Sequence, residues 1–132
     1  MEREVARTVV SVTPLQQVRE FHETFGLPIG DKPLLPDEGE RDLRWDLLEE
    51  EFRELGGAEA QDDLVGIADA LADMVCVIYG TALSYGIDLD AVLAEVHRSN
   101  MTKERHPTQE YPSKNVVKGA SYSPPDIQAL VA

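Results

Sequence analysis

The sequence predicts an all-α protein, a four- to five-helix bundle followed by a C-terminal loop or lid. Three observations carry that expectation. Apolar residues recur at helical spacing in separate stretches along the chain. Capping residues open these stretches, and glycines close most of them. One stretch, from Leu64 to Ile87, becomes apolar on all sides after Asp73, as a buried core helix does. With 132 residues, the chain is expected to form one domain over 1–132. Its helical core spans about 14–100 and a tail about 101–132. A chain of this length buries roughly two-thirds of its unfolded surface.

The first helix is read from "TPLQQVREFHETFG". Thr13 can cap it, Pro14 suits its first turn, and Gly26 sits where a helix ends. Leu15, Val18, Phe21 and Phe25 form its apolar side. "LPIGDKPLLPDEG" holds three prolines and two glycines, so it is a loop. A second helix is expected from about Glu40 to Leu55, stopping at Gly56-Gly57. Asp62 or Asp63 opens a third, which continues to Tyr85 and ends at Gly86. Asp88 caps a fourth, "LDAVLAEVHRSN". The stretch from Thr102 to Tyr122 has no periodicity and reads as an ordered loop or lid. Ser123 and the two prolines after it can start a short last helix, "DIQALVA". Residues 2–12 are ambiguous, and "RTVVSV" can be extended.

Composition narrows the function. A net charge of −13 argues against binding a nucleic-acid duplex, because phosphate contacts need a basic face. Cys76 is alone, which rules out a disulfide framework within the chain or a cysteine-based zinc site and fits a reducing compartment. The start of the chain mixes charges through its apolar residues, unlike a signal peptide. The third helix is too short for a membrane span once its aspartates are counted. A soluble cytoplasmic protein with no membrane partner is expected.

The second helix carries acids where its apolar stripe should run. At ~100° per residue with Glu50 at zero, Leu43 falls near ~20°, Glu54 near ~40°, Leu47 near ~60°, Glu51 near ~100° and Leu55 near ~140°. Glu50, Glu51 and Glu54 therefore interleave with leucines, whereas Asp46, Glu49 and Arg53 point away. A carboxylate on a packed face costs several kcal/mol unless it is compensated, although a run of glutamates is often just a solvated face. The third helix decides between these readings. From Leu64 to Ile87 its only charged residues are Asp69 and Asp73, four apart and on one face. Only four basic residues (Lys32, Arg41, Arg44, Arg53) lie between Asp31 and Asp73. A hard divalent cation suits such an all-oxygen set, with Mg²⁺ expected and Mn²⁺ as the alternative.

"LRWDLLEEEFREL" followed by "IADALADMVCVIYGTALSYGIDLDAVLAEVHRSNMTK" resembles the all-α NTP pyrophosphohydrolases. That superfamily includes MazG, phosphoribosyl-ATP pyrophosphohydrolase and the dimeric dUTPases. Its mark is EExxE on one helix and ExxD on the next, together binding Mg²⁺. Glu50, Glu51 and Glu54 match the first motif. The second departs, because Ala70 stands three before Asp73 where the glutamate belongs. A weaker metal site, a changed number of metals or an "ADxxAD" variant using Asp69 are the readings this leaves. The resemblance covers residues 14 to 125 and is closest to a MazG-like or dUTPase-like branch, in which "EVHRSNMTK" and a pattern like "KNVVKGASYSPPD" recur.

The tail fits a triphosphate substrate. Asn100 and Lys103 continue the apolar stripe of the fourth helix and are expected to point inward. Lys103 and Lys118 are the expected phosphate contacts, with Asn100 as a hydrogen-bonding partner and Lys114 near them. Arg98, Arg105 and Lys114 also read as solvated surface charges. Tyr122 either orders the tail or stacks on a base. His22, near the apolar face of the first helix, is either a satisfied core residue or a neighbour of base or ribose. Trp45 lies away from the acids and reads as packing, including at a subunit contact.

The resemblance implies hydrolysis of the α–β phosphoanhydride of a nucleoside triphosphate, giving monophosphate and pyrophosphate. Either Glu51 or Glu50 would accept the proton of the attacking water. House-cleaning of dUTP or other (d)NTPs is the implied role. Phosphoribosyl-ATP hydrolysis and a non-catalytic metal- or nucleotide-binding protein are the alternatives. The apolar third helix, which one chain hardly surrounds, points to a homodimer or a dimer of dimers.

Overall fold

The computed structural model describes residues 12–106, 111 and 114–132, and it is mostly helical. The order is α1 (Pro14–Phe25), α2 (Glu38–Ala60), α3 (Leu64–Ser84), α4 (Leu89–Asn100), β1 (Glu104–Arg105), β2 (Val116–Val117) and α5 (Gln128–Val131). The bundle expected from periodicity is the bundle observed. Most of the "RTVVSV" segment lies outside the described residues.

Helix α1 begins and ends on the residues its sequence signals. Thr13 Oγ1 accepts from the Gln16 amide (3.2 Å) and Gln16 Oε1 from the Thr13 amide (2.8 Å), a reciprocal capping box. Gly26 closes the helix in the left-handed region, where it carries no Cβ penalty. Helix α2 departs from expectation. It starts two residues early, behind Asp37, whose carboxylate accepts from the Glu40 amide (2.9 Å). It then runs through Gly56-Gly57 to Ala60. Glycine weakens a helix by about 1 kcal/mol against alanine but does not forbid it. The stop comes at Gln61-Asp62-Asp63, where Asp62 takes φ 51° and Asp63 caps α3 through the Gly66 amide.

Helix α2 packs extensively against α3, and α1 packs on α3 as well. Val18, Tyr79 and Leu83 form the centre, with Leu15 and Leu89 against it. The proline-rich loop after α1 closes over the end of α3: the Gly30 amide donates to Leu83 O (2.8 Å) and the Leu34 amide to Tyr85 O (3.0 Å). Gly86 is required there, since its φ is +68° and a Cβ would collide with the Lys32 carbonyl.

Helix α4 is tied to α3 by the Tyr79 hydroxyl, which donates to Asp90 (2.8 Å). The tail is more ordered than an irregular loop: β1 and β2 pair antiparallel, Glu104 opposite Val117 and Arg105 opposite Val116. The last helix forms only at Gln128: no side chain caps it, and Ser123 and the two prolines lie before its start.

Helix α3 corrects one expectation. It is not buried on every side within this chain: its most apolar 18-residue window has a mean hydropathy of 1.6 and only 17% of it is buried. Leu71, Val75 and Ile78 are exposed. Among the described residues it is the one helix long and apolar enough to cross a membrane.

Candidate active site

The α2–α3 packing brings Glu51, Glu54 and Asp73 together, one oxygen of each lying within 4.8 Å of the others. Glu51 and Asp73 are half-buried and Glu54 is exposed. Burial and the neighbouring carboxylates both favour the protonated form of Glu51. Burial is the largest cause for Glu51, followed by the Glu54 carboxyl as hydrogen-bonding partner and then the charges of Glu54, Asp73 and Glu50. Together they push Glu51 up to about 7. Its Oε2 is buried and has no hydrogen-bond partner among the described residues.

That orphaned oxygen tests whether a cation fits. A buried acceptor with no donor costs about 1–3 kcal/mol, more if charged. A cation held by Glu51, Glu54 and Asp73 removes both this cost and the mutual repulsion. The donor set is all carboxylate oxygen, which suits hard ions such as Mg²⁺ or Mn²⁺.

Two of the five expected ligands lie elsewhere. Glu50 is exposed and lines a separate shallow cleft with Asp46, Glu49, Arg53 and Glu54, so it groups with the acids expected to point away. At 100° per residue it sits on the boundary of the packed face, and α3 covers the Glu51 side. Asp69 is exposed, outside the cluster, although it shares a face with Asp73. Ala70, at the place where the resemblance implies glutamate, is only 3% exposed, so the position faces the core. The "ADxxAD" reading thus has no support in the geometry.

Glu51 and Asp73 open into a groove of about 740 Å³ between α1, α2 and α3, within the range of small-molecule sites. Val18, Phe21, Leu27, Leu47 and Val75 give it apolar walls. His22 is 2% exposed, and its Nδ1 lies 3.0 Å from Pro28 O. A carbonyl only accepts, so Nδ1 carries hydrogen. His22 is therefore a satisfied core residue that also lines the groove.

Arg44 is the residue the sequence reading passed over. It is 7% exposed and lines the same groove. Its Nε donates to Thr81 Oγ1 and its Nη2 to Val77 O, both at 3.1 Å. Burial pulls its pKa down, against the opposing charges of Glu40 and Tyr85. The available signal was spacing: Arg44 is seven residues before Glu51, two turns away on the same face.

The expected phosphate contacts do not reach the carboxylates within one chain. None of the described tail residues lines the groove. Asn100 is exposed rather than inward, Lys103 is half-buried, and Lys114 and Lys118 are exposed. Helix α4 turns Ser99 inward instead, its hydroxyl donating to Ser123 O (2.8 Å). Lys118 Nζ sits 5.1 Å from the Tyr122 ring centroid, so Tyr122 orders the tail through a cation–π contact. Arg98 is no free surface charge: it pairs with Glu95 and holds Ser123 Oγ and Pro124 O at 3.1 Å.

The sequence profile of the phosphoribosyl-ATP pyrophosphohydrolase family matches residues 18–100, which carry most of α1, all of α2–α4 and all three clustered carboxylates. The chain belongs to this family. It is thereby a member of the all-α NTP pyrophosphohydrolase superfamily, as its motifs imply. The chain is also similar to L479, an uncharacterized protein of Acanthamoeba polyphaga mimivirus, with 39% identity over 82 residues. That match takes in 59% of this chain and 33% of the viral protein, so the chain aligns with about a third of that relative's length.

Proposed function

We propose that the protein is a Mg²⁺-dependent nucleoside triphosphate pyrophosphohydrolase of the cytoplasm, releasing a monophosphate and pyrophosphate. The observation that carries this reading is the Glu51–Glu54–Asp73 cluster at the mouth of an apolar groove, in a chain of this family. Glu51, Glu54 and Asp73 would hold the ion, with Mn²⁺ as the alternative. When bound, it would neutralise phosphate charge and acidify the attacking water. Glu51 is favoured over Glu50 as proton acceptor, since it faces the groove. The water oxygen forms one P–O bond, the α–β bridging bond breaks, pyrophosphate leaves, and the water proton passes to Glu51. The groove holds the apolar end of the nucleotide against α1 and keeps water from that side.

The substrates in view are dUTP and other (d)NTPs. The family profile favours a second reading, phosphoribosyl-ATP, in which the same anhydride is cleaved. The test is Mg²⁺-dependent pyrophosphate release across NTPs, dNTPs and phosphoribosyl-ATP. Release that disappears in Glu51→Gln supports the reading, and the best substrate separates its two forms. A folded protein that releases nothing in Mg²⁺ or Mn²⁺ would leave a binding role.

The active form is proposed to be a homodimer, or a dimer of such dimers. Trp45, Leu48, Phe52, Met74 and Ile78 line an apolar cleft on the outer face of α2 and α3. Trp45 is 72% and Phe52 64% exposed. A second copy would cover this face and bring its tail lysines, Lys103 and Lys118, to the carboxylates they do not reach in their own chain.

A further inference from the structure

Arg44 is a charged group in a place that is hard to justify by packing. It is nine-tenths buried in an acidic protein, yet among the described residues it forms no ion pair. Thr81 Oγ1 and Val77 O engage its Nε and Nη2. A guanidinium carries five N–H donors, so most remain for other partners. Its neighbour across α3 is His22: a Cβ on Gly80 would collide with Arg44 Nη2 and come within 2.8 Å of His22 Nε2. Glycine at position 80 thus lets two polar side chains converge on one spot of the α3 surface. In the neutral ring, His22 Nε2 is the acceptor left over once Nδ1–H is given to Pro28 O.

We infer that Arg44 and His22 form a recognition subsite for the nucleobase, with Arg44 donating to a ring acceptor and His22 Nε2 accepting from a neighbouring N–H. Three features favour the base over the phosphates. Arg44 lies two turns from Glu51, about 10 Å along α2, away from the carboxylate end. The groove between them has apolar walls, Val18, Phe21, Leu27, Leu47 and Val75, which suit a planar ring and would desolvate a triphosphate at high cost. A paired donor and acceptor match the edge that every base presents, so the subsite selects for a nucleotide over other polyphosphates. This inference rests on the proposed nucleotide reading and assigns Arg44, which that reading leaves without a role.

The test is equilibrium binding in Mg²⁺ of two probes, an α,β-methylene nucleoside triphosphate and inorganic tripolyphosphate. Arg44→Gln is expected to weaken the nucleotide analogue by tenfold or more, the value of a hydrogen bond to a charged group. Tripolyphosphate, which has no base, should bind it as it binds the parent protein. Gly80→Ala, which displaces both side chains but leaves them present, should act in the same direction. Equal weakening of both probes would assign Arg44 to the phosphates and overturn the inference. So would unchanged affinity with a lowered melting temperature, which marks a mere staple between α2 and α3. Arg44-dependent nucleotide binding without any hydrolysis would sink the proposed reaction and leave this subsite standing.

Discussion

At the scale of single residues, Glu51 links metal binding, proton uptake and stability. The folded protein keeps its carboxyl protonated up to about 7, against an ordinary 4.5. Between those values the folded state binds more protons than the unfolded chain. Glu51 therefore contributes stability that is complete below about pH 4.5 and is lost as pH rises to about 7. A divalent ion needs the carboxylate form, so its binding releases that proton and stabilises most where the metal-free protein is weakest. Melting temperatures taken from pH 5 to 8 should show metal-free protein losing stability across this window. Mg²⁺ should raise the melting temperature more at pH 8 than at pH 5, and Glu51→Gln should flatten both trends. An equal Mg²⁺ increment at both pH values would separate Glu51 from the ion.

Helix α2 shows at the element scale what sequence signals reach. Gly56 and Gly57 look like a stop, yet both are exposed, helical and have no atom within 4 Å of a built Cβ. Replacing either by alanine should stabilise the protein by about 0.5–1 kcal/mol, through helix propensity and a less flexible unfolded chain. Urea unfolding would measure it, and a loss of stability would mean the helix ends where the glycines suggest. The other boundaries were legible because their signals are local: Thr13, Asp63 and Asp88 each cap within three residues. The carboxylate cluster was legible for the residues that face α3, since helical spacing fixes Glu51, Glu54 and Asp73. Glu50 and Asp69 fall outside the cluster, which the wheel did not reveal because it gives an angle and not which neighbour covers it. Arg44 was missed because its meaning depends on Thr81 and Gly80, more than thirty residues away, and no local pattern records such a meeting.

The whole molecule leaves α3 half-covered, and that supports the proposed dimer. Five apolar side chains line the outer cleft of α2 and α3, and Leu71 continues the exposed apolar surface of α3. Leaving such a face in water forfeits about 25 cal/mol per Å² that burial would recover. A bilayer would cover apolar side chains but not Asp73, which shares the helix with them. A second copy is the better cover, although two chains of net charge −13 repel each other. Dimerisation should therefore tighten as salt screens that repulsion, the opposite of an interface held by ion pairs. Sedimentation should show a dimer that strengthens from low to physiological salt, and Phe52→Glu should yield folded monomers. The shared site has its own test. Glu51→Gln and Lys103→Ala proteins, each inactive alone, should regain activity when mixed and allowed to exchange subunits, because one of the two sites then holds Glu51 from one chain and Lys103 from the other. If mixing restores nothing while exchange is shown to occur, each chain builds its own site, and the tail must close over its own carboxylates.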